Sequence, residues 1–286
     1  MTKPSTQKYR LLVLDIDGTL VNSRDELTPA TSAAIRRACE AGIRVVLATG
    51  RRYSKALHLV EPLGLDVPLI SASGALIKDP LDHRTLFCAN FAAGVLEGTL
   101  KIVAAAGHDA VLYADTFADG FDFYCQRLDL DGSDQAQLAE YFGRNAGCGR
   151  VWPNLMTSPP PGIFAGFAID TREKMAELGQ QLTRQFGDDL YVHILKSPFY
   201  TGWFCEIEPG GVSKWSAAQH LARDWAIADD EICAVGDDVN DVPMIRGAGL
   251  GVAMGNAVPE LKAAADRVAP CHDSDGLVEV VGWLLE

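Results

Sequence analysis

Residues Leu11 to Leu20 read LLVLDIDGTL. The apolar run Leu11-Leu12-Val13-Leu14 passes straight into Asp15, and Asp17, Gly18 and Thr19 follow. An uninterrupted apolar run of this kind marks a parallel strand buried on both faces. Gly18 lets the chain leave that strand through a backbone conformation closed to most residues. Two carboxylates are therefore expected at the carboxyl end of a central strand, where open α/β sheets bind their ligands. Asp-Gly alone is an ordinary turn dipeptide. The buried strand ahead of it makes the stretch specific.

Two further apolar runs end in the same abrupt way. Arg44 to Ala48 stops at Thr49-Gly50-Arg51, and Glu231 to Val235 stops at Gly236-Asp237-Asp238. Between the first two runs, Thr28 is placed to cap a helix with Pro29 at its first position, and Ala41-Gly42 ends it. A second helix over Tyr53 to Leu63 and a short strand over Pro68 to Ser71 continue a β-α-β-α-β rhythm, the pattern of a parallel sheet with helices on its faces. From Gly74 the rhythm changes. Leu76 to Lys78 and Thr85 to Phe87 flank Asp79-Pro80 as a hairpin, and residues 88–202 read as a separate α+β unit. Its helices are expected at Ala92–Ala106, Asp134–Asn145 and Arg172–Phe186. Its strands are expected at Ala110–Ala114, Phe121–Cys125, Gly162–Ile169 and Leu190–His193. The proline-rich stretch from Trp152 to Gly162 reads as an exposed loop. The first rhythm resumes with a strand at Trp203–Glu208, a helix at Gly211–Arg223 and a last helix from Asp275. The expected architecture is α/β: a Rossmann-like parallel-sheet core from residues 1–87 and 203–286, with an α+β cap domain, 88–202, inserted between them.

Composition narrows the function. At 286 residues and 48% hydrophobic, the chain can bury the cores of two domains. It has no run near the ~18 apolar residues of a membrane helix, and the polar first ten residues, MTKPSTQKYR, carry no secretory signal. A net charge of −13 argues against nucleic acid as a partner, which calls for a basic footprint. Seven cysteines with no Cys-x-x-Cys pair indicate a reducing, cytoplasmic setting rather than a disulfide framework. The six histidines lack paired ligand spacing, so none is read as catalytic or as a zinc ligand.

If the three strands are parallel neighbours, their polar ends meet on one edge of the sheet. Asp15 and Asp237 together would repel too strongly to stay ionised without a cation. Oxygen donors of this kind favour Mg²⁺, which binds through one or two carboxylates and substrate phosphate. The stretch GDDVND, Gly236 to Asp241, is on its own also a loop leading to a helix that welcomes acidic residues in its first turn. Thr49 and Gly50 sit where a hydroxyl and backbone N–H groups can cradle a phosphate, or simply cap the following helix. Lys214, near a helix start, can supply a fixed positive charge for a phosphoryl group, although a lone lysine is usually solvated.

Taken in order, DIDGT, ATGR, GGVSK and GDDVND resemble the four motifs of the haloacid-dehalogenase-like hydrolases. SGALI, Ser73 to Ile77, and GVAMGNA, Gly251 to Ala257, are similar to stretches of its Cof-type phosphatases, which carry an α+β cap between the second and third motifs. The resemblance implies that Asp15 is the nucleophile that forms an aspartyl-phosphate, and that Asp17 is the general acid and then base. It implies Mg²⁺ on Asp15, the backbone carbonyl of Asp17, and Asp237. It implies phosphate contacts from Thr49, Gly50, Lys214 and Asn240, with Asp241 orienting Lys214 or a metal-bound water. Two residues depart from the pattern. Ser73 stands where Asn is frequent, and Trp215 stands where Gly follows the lysine, adding bulk expected near the site. The activity implied is Mg²⁺-dependent hydrolysis of a small phosphorylated metabolite, a sugar or cofactor phosphate. The alternatives are a phosphotransferase of phosphomannomutase type, a sugar-phosphate phosphatase acting on sucrose or mannosylglycerate esters, and a non-catalytic phosphometabolite-binding module. Oligomeric state is left open.

Overall fold

The structure, a computed structural model, describes residues 8–60, 63, 67–130, 134–196 and 200–286. The first seven residues, and the part of the second expected helix at 61 and 62, lie outside them. The chain divides into two compact units, Met1–Phe87 with Ser213–Glu286, and Cys88–Val212.

The first stretch runs β1 (Leu11–Asp15), α1 (Pro29–Glu40), β2 (Arg44–Ala48), α2 (Tyr53–Val60), β3 (Leu69–Ser71), β4 (Leu76–Lys78) and β5 (Thr85–Cys88). The middle runs α3 (Val95–Ala105), β6 (Val111–Ala114), β7 (Phe123–Cys125), α4 (Ala136–Arg144), β8 (Gly149–Val151), β9 (Ile163–Asp170), α5 (Arg172–Phe186), β10 (Leu190–Lys196) and β11 (Trp203–Pro209). The return runs α6 (Lys214–Asp224), β12 (Ile232–Gly236), α7 (Val242–Gly247), β13 (Leu250–Ala253), α8 (Pro259–Ala264), β14 (Arg267–Val268) and α9 (Gly276–Leu285).

The first unit is built on an eight-stranded sheet in the order β14-β13-β12-β1-β2-β3-β4-β5. Strand β1 pairs in parallel with β12 on one side and β2 on the other. The direction reverses only where β3 meets antiparallel β4, among the pairings described. Leu11, Leu12, Val13 and Leu14 are all 0% exposed, the burial on both faces that their unbroken apolar run requires. Each contributes roughly 1.5–3 kcal/mol from removal of its side chain from water. One face is covered by α6 and α7, whose Ala217, Leu221, Met244 and Ile245 pack on Leu11, Val13, Val46 and Ile70. Helix α1 packs beside α9. Its Thr28 cap accepts the Thr31 N–H at 3.1 Å, with Pro29 at the first turn.

The second unit holds a six-stranded sheet, β10-β11-β9-β6-β7-β8, antiparallel except for β7 with β8. Leu96, Leu100, Met175 and Leu178 from α3 and α5 join one core cluster, while Leu138, Tyr141 and Phe142 of α4 join another around Phe123 and Phe167.

The fold corrects two expectations. The strand expected at Trp203–Glu208 as part of the parallel core is β11, which pairs with β9 and β10 in the second unit, so the chain returns at Ser213 rather than Trp203. Its Phe204, Cys205 and Ile207 are buried, and both of its pairings among the described residues are antiparallel. The stretch from Trp152 to Gly162 is only partly exposed, because Leu155 and Met156 turn inward against α3 and β9 residues.

Candidate active site

Parallel pairing aligns the carboxyl ends of β12, β1 and β2, with Leu14 opposite Val235 and Asp15 opposite Ala48. Asp15 closes β1, Asp237 follows β12, and Thr49 follows β2. The convergence read from the three apolar runs is thus present on one sheet edge.

Just after Asp15 the chain makes a tight turn through Ile16–Leu20, closed by the Val21 N–H on the Ile16 carbonyl at 3.1 Å. Gly18 has φ +71° there, and a Cβ on it would lie 2.2 Å from Asp237 Oδ2. Only glycine satisfies both the backbone and the space. This is the physical content of the Asp-Gly-Thr sequence: it brings the β1 turn against the β12 carboxylate.

Lys214 opens α6 and is 3% exposed. Ser213 caps this helix by accepting the Ser216 N–H at 3.0 Å, while Ser216 Oγ accepts the Ser213 N–H at 2.9 Å. Gly74, at φ +111°, lets the turn after β3 press on this helix start, since a Cβ on it would sit 2.2 Å from the Ser213 carbonyl oxygen. So fixed, Lys214 Nζ donates to Asp15 Oδ1 at 2.5 Å and to Asp241 Oδ1 at 2.7 Å. Asp241 is 0% exposed. Its other oxygen accepts the backbone N–H groups of Asp237 at 3.0 Å and Asp238 at 3.2 Å. Both of its oxygens are therefore committed, and Asp241 holds Lys214 and the Asp237 turn in place.

One donor atom each from Asp15, Asp237 and Asp241 lies within 4.8 Å of the others. Burial pushes the Asp15 carboxyl well above its usual range; Lys214 opposes that shift and Asp241 and Asp237 add to it. Burial, then Asp241, push Asp237 up to about 7. Burial works against the charge of Lys214, yet Asp15 and Asp241 raise its pKa. The two signs agree physically. One ammonium has a surplus of carboxylate partners, so its charge is secure while each carboxylate is under-neutralised. An all-oxygen donor set in negative excess fits a hard divalent cation. With Asp241 engaged by three donors, Asp15 and Asp237 are the carboxylates left to bind one.

The remaining residues separate into those near this cluster and those turned elsewhere. The Asp17 side chain is half exposed and does not join Asp15. Arg51 Nε donates to its two oxygens at 2.9 and 3.1 Å, and Arg51 Nη2 reaches both Asp17 and Asp25 at 2.5 Å. Arg51 belongs to the quoted ATGR stretch but had been given no role; nothing in the spacing pairs it with Asp17 or Asp25. Thr49 is 0% exposed, and its hydroxyl oxygen accepts the Arg51 N–H at 3.0 Å, so it does cap the turn. Its hydroxyl proton remains available to an anion. Gly50 is exposed at the same turn. Asn240 Oδ1 is buried with no hydrogen-bond partner among the described residues, a costly state that a ligand can relieve. Asn256, within the GVAMGNA stretch, also reaches this cluster: its Nδ2 donates to the Gly18 carbonyl at 2.8 Å and lies 3.4 Å from Asp237 Oδ2. Ser73 has φ +54°, a left-handed conformation that Asn tolerates better, which explains the Asn frequent at this place in the resembling family. Trp215 does not crowd the site. One residue on from Lys214 in the helix, it turns away and packs on Gly247 of α7, where a Cβ would meet its ring at 2.3 Å.

Residues 12–281 match the haloacid dehalogenase-like hydrolase family. The chain is 30% identical to Phosphatase YwpJ of Bacillus subtilis, over 96% of this chain and 100% of that one. It is 28% identical to the 5-amino-6-(5-phospho-D-ribitylamino)uracil phosphatase YwtE of the same organism, over 96% and 98%. A crystal structure of a haloacid dehalogenase-like hydrolase from Bacteroides thetaiotaomicron, 25% identical, superposes with a TM-score of 0.76 over 96% of this chain and 99% of that one.

Proposed function

The chain belongs to the haloacid dehalogenase-like hydrolase family and is a phosphatase of Cof type, and from that premise we propose that it hydrolyses the phosphate monoester of a small metabolite, a sugar or cofactor phosphate, with Mg²⁺. The observation that carries this reading is the buried Asp15–Lys214–Asp241 chain beside Asp237. Asp15, Asp237 and the backbone carbonyl of Asp17 would hold Mg²⁺, which when bound supplies positive charge to a phosphoryl oxygen and to the carboxylates. Lys214, held at a fixed position by Asp241, contributes the protein's own positive charge there. Thr49, Gly50 and Asn240 complete the contacts to the phosphoryl oxygens.

An Asp15 carboxylate oxygen forms a bond to phosphorus as the bond from phosphorus to the ester oxygen breaks. Asp17 gives a proton to the departing alkoxide, which leaves as the alcohol. The Asp17 carboxylate then takes a proton from water as the water oxygen attacks the aspartyl-phosphate, releasing inorganic phosphate and free Asp15. For this role Asp17 leaves Arg51, and Arg51 retains Asp25 as its anionic partner. A non-catalytic binding module has no use for an acid–base carboxylate two residues from a buried nucleophile on the same turn.

Release of p-nitrophenol from p-nitrophenyl phosphate, measured with and without Mg²⁺, tests the reaction. A panel of phosphorylated metabolites then tests the substrate class. Release of one inorganic phosphate per alcohol supports hydrolysis, whereas transfer of the phosphate to an added sugar would replace it with the phosphomannomutase-type reaction.

A further inference from the structure

We infer that Cys271, His272 and Asp273, in the loop before α9, form a second metal site that takes a thiophilic divalent cation such as Zn²⁺. One donor atom from each of the three lies within 4.8 Å of the others. His272 Nε2 is 3.7 Å from Asp273 Oδ2. Two donors bound tetrahedrally at about 2.0–2.2 Å from zinc stand roughly 3.3–3.5 Å apart, so this His–Asp pair needs to close by only a few tenths of an ångström, while the Cys271 sulfur closes from within 4.8 Å.

The surroundings of these donors separate the cluster from a chance grouping. His272 Nδ1 lies 2.8 Å from the Val21 carbonyl. A carbonyl only accepts, so Nδ1 carries the proton and Nε2 keeps the lone pair that binds metal. Asp273 Oδ1 accepts the Ser23 N–H at 2.8 Å, leaving Oδ2 on the side of His272 Nε2. Two of the three donors are thus oriented by a hydrogen bond on the far atom, the arrangement that supports metal ligands. The Cys271 thiol is half-buried and in no disulfide. On binding it loses its proton to solvent and gains a bond from sulfur to the metal.

Ligand chemistry assigns the ion. Asp15, Asp237 and Asp241 offer oxygen alone, which suits Mg²⁺, while sulfur and imidazole select zinc over magnesium. The histidines were excluded from zinc binding because none has paired ligand spacing. Three consecutive donors carry no such spacing, and only the fold of this loop brings them together. The site also touches the catalytic turn. His272 N–H donates to Asn256 Oδ1 at 3.0 Å, and Asn256 Nδ2 donates to the Gly18 carbonyl. A metal here therefore ties residues 271–273 to residues 21–23 and steadies Asn256.

Titration of the reduced full-length protein with Co²⁺, followed by absorption, tests the site independently of activity. The wild type is expected to develop a near-ultraviolet thiolate-to-cobalt charge-transfer band that saturates at a single equivalent and is removed by Zn²⁺. The band should vanish in Cys271→Ser, persist in Asp237→Asn, and need at least ~10-fold more cobalt in His272→Gln. Absence of the band in the wild type would overturn the site, as would its survival in Cys271→Ser or an unchanged affinity in His272→Gln. Loss of the band in Asp237→Asn would show that the cation belongs to the catalytic carboxylates instead.

Discussion

Asp15→Asn is expected to abolish turnover and, in the absence of metal, to raise stability. The Asp15–Lys214 contact at 2.5 Å is worth about 6–7 kcal/mol of attraction at an effective dielectric of ~20. Asp237 and Asp241 oppose it from within 4.8 Å, each by about 3.5 kcal/mol or more on the same scale. Attraction and repulsion cancel to within the error of such numbers, and the cost of burying the Asp15 charge is left over. That remainder is why burial comes first among the causes raising its pKa. Asn has the same shape and no charge, and it leaves the Lys214–Asp241 pair intact. With Lys214 still paired to Asp241, the variant escapes the penalty of an unpaired buried ammonium, and a gain on the order of 1 kcal/mol would read as roughly 2–4 °C in Tm. Mg²⁺ should reverse the order, because an ion that binds the native wild type stabilises it by mass action and has lost a ligand in the variant. The assay is thermal unfolding of both proteins in EDTA and in excess Mg²⁺, alongside p-nitrophenyl phosphate hydrolysis. A variant less stable than wild type in EDTA, or one that gains as much from Mg²⁺, would refute the charge argument. Substantial turnover by the variant would refute the nucleophile.

Asp17→Asn should lower kcat by ~10²–10⁴, and a loss of only a few-fold would place the proton transfer elsewhere. EDTA should silence hydrolysis and Mg²⁺ restore it, with Ca²⁺ a poor substitute because of its looser coordination; full activity after exhaustive chelation contradicts the carboxylate site. Glu208, buried in β11, has its carboxyl raised well above the usual range by burial and by Glu206. The native state then holds that proton more tightly than the unfolded one, so the contribution to stability is present below the unfolded pKa and is lost as pH rises through the folded one. Glu208→Gln should therefore flatten the fall in Tm on going from acid to neutral pH, and an unchanged slope in denaturation curves would count against it. Replacing residues 88–212 with a short linker should yield a folded, soluble first unit. Stopping the excision at residue 202 should give an aggregating one, because β11 would keep Phe204, Cys205 and Ile207 without their sheet. Size-exclusion chromatography of the two variants decides the point.

The sheet edge that carries the candidate site was legible because it is written in local patterns. Leu11 to Leu14, Val45 to Ala48 and Ile232 to Val235 are short unbroken apolar runs, and such runs ending abruptly at polar clusters mark buried parallel strands. The β11 error came from reading position in the chain ahead of pattern. Glu206 and Glu208 alternate with Cys205 and Ile207, and such alternation points to an antiparallel strand rather than to the unbroken apolar run of a parallel one. Arg51 with Asp17 and Asp25, and Asn256 with Gly18, were not legible at all. These contacts depend on how turns from separate strands fold over one another, and no periodicity records that. Trp215 was misplaced for a simpler reason: neighbouring residues on a helix point about 100° apart, so the partner of Lys214 in sequence is not its partner in space.

The charges at the edge also restrict which ion can serve. Arg51 meets Asp17 and Asp25 outside the cluster, so it lends nothing to the inner group. Inside, Asp15, Asp237 and Asp241 face Lys214 alone, a deficit of two positive charges when all are ionised. A divalent cation closes that deficit, whereas a monovalent one leaves a net negative site that repels a phosphate ester. The protein as a whole, at −13, supplies no compensating background. On the proposed reaction, neutrality at the inner group is thus a condition for substrate entry as well as for chemistry. After chelation, K⁺ or Na⁺ at any concentration should fail to restore hydrolysis, and they should fail through KM as much as kcat. Recovery with a monovalent ion alone would mean that Asp15 or Asp237 is protonated in the working enzyme, and the nucleophile would have to be sought elsewhere.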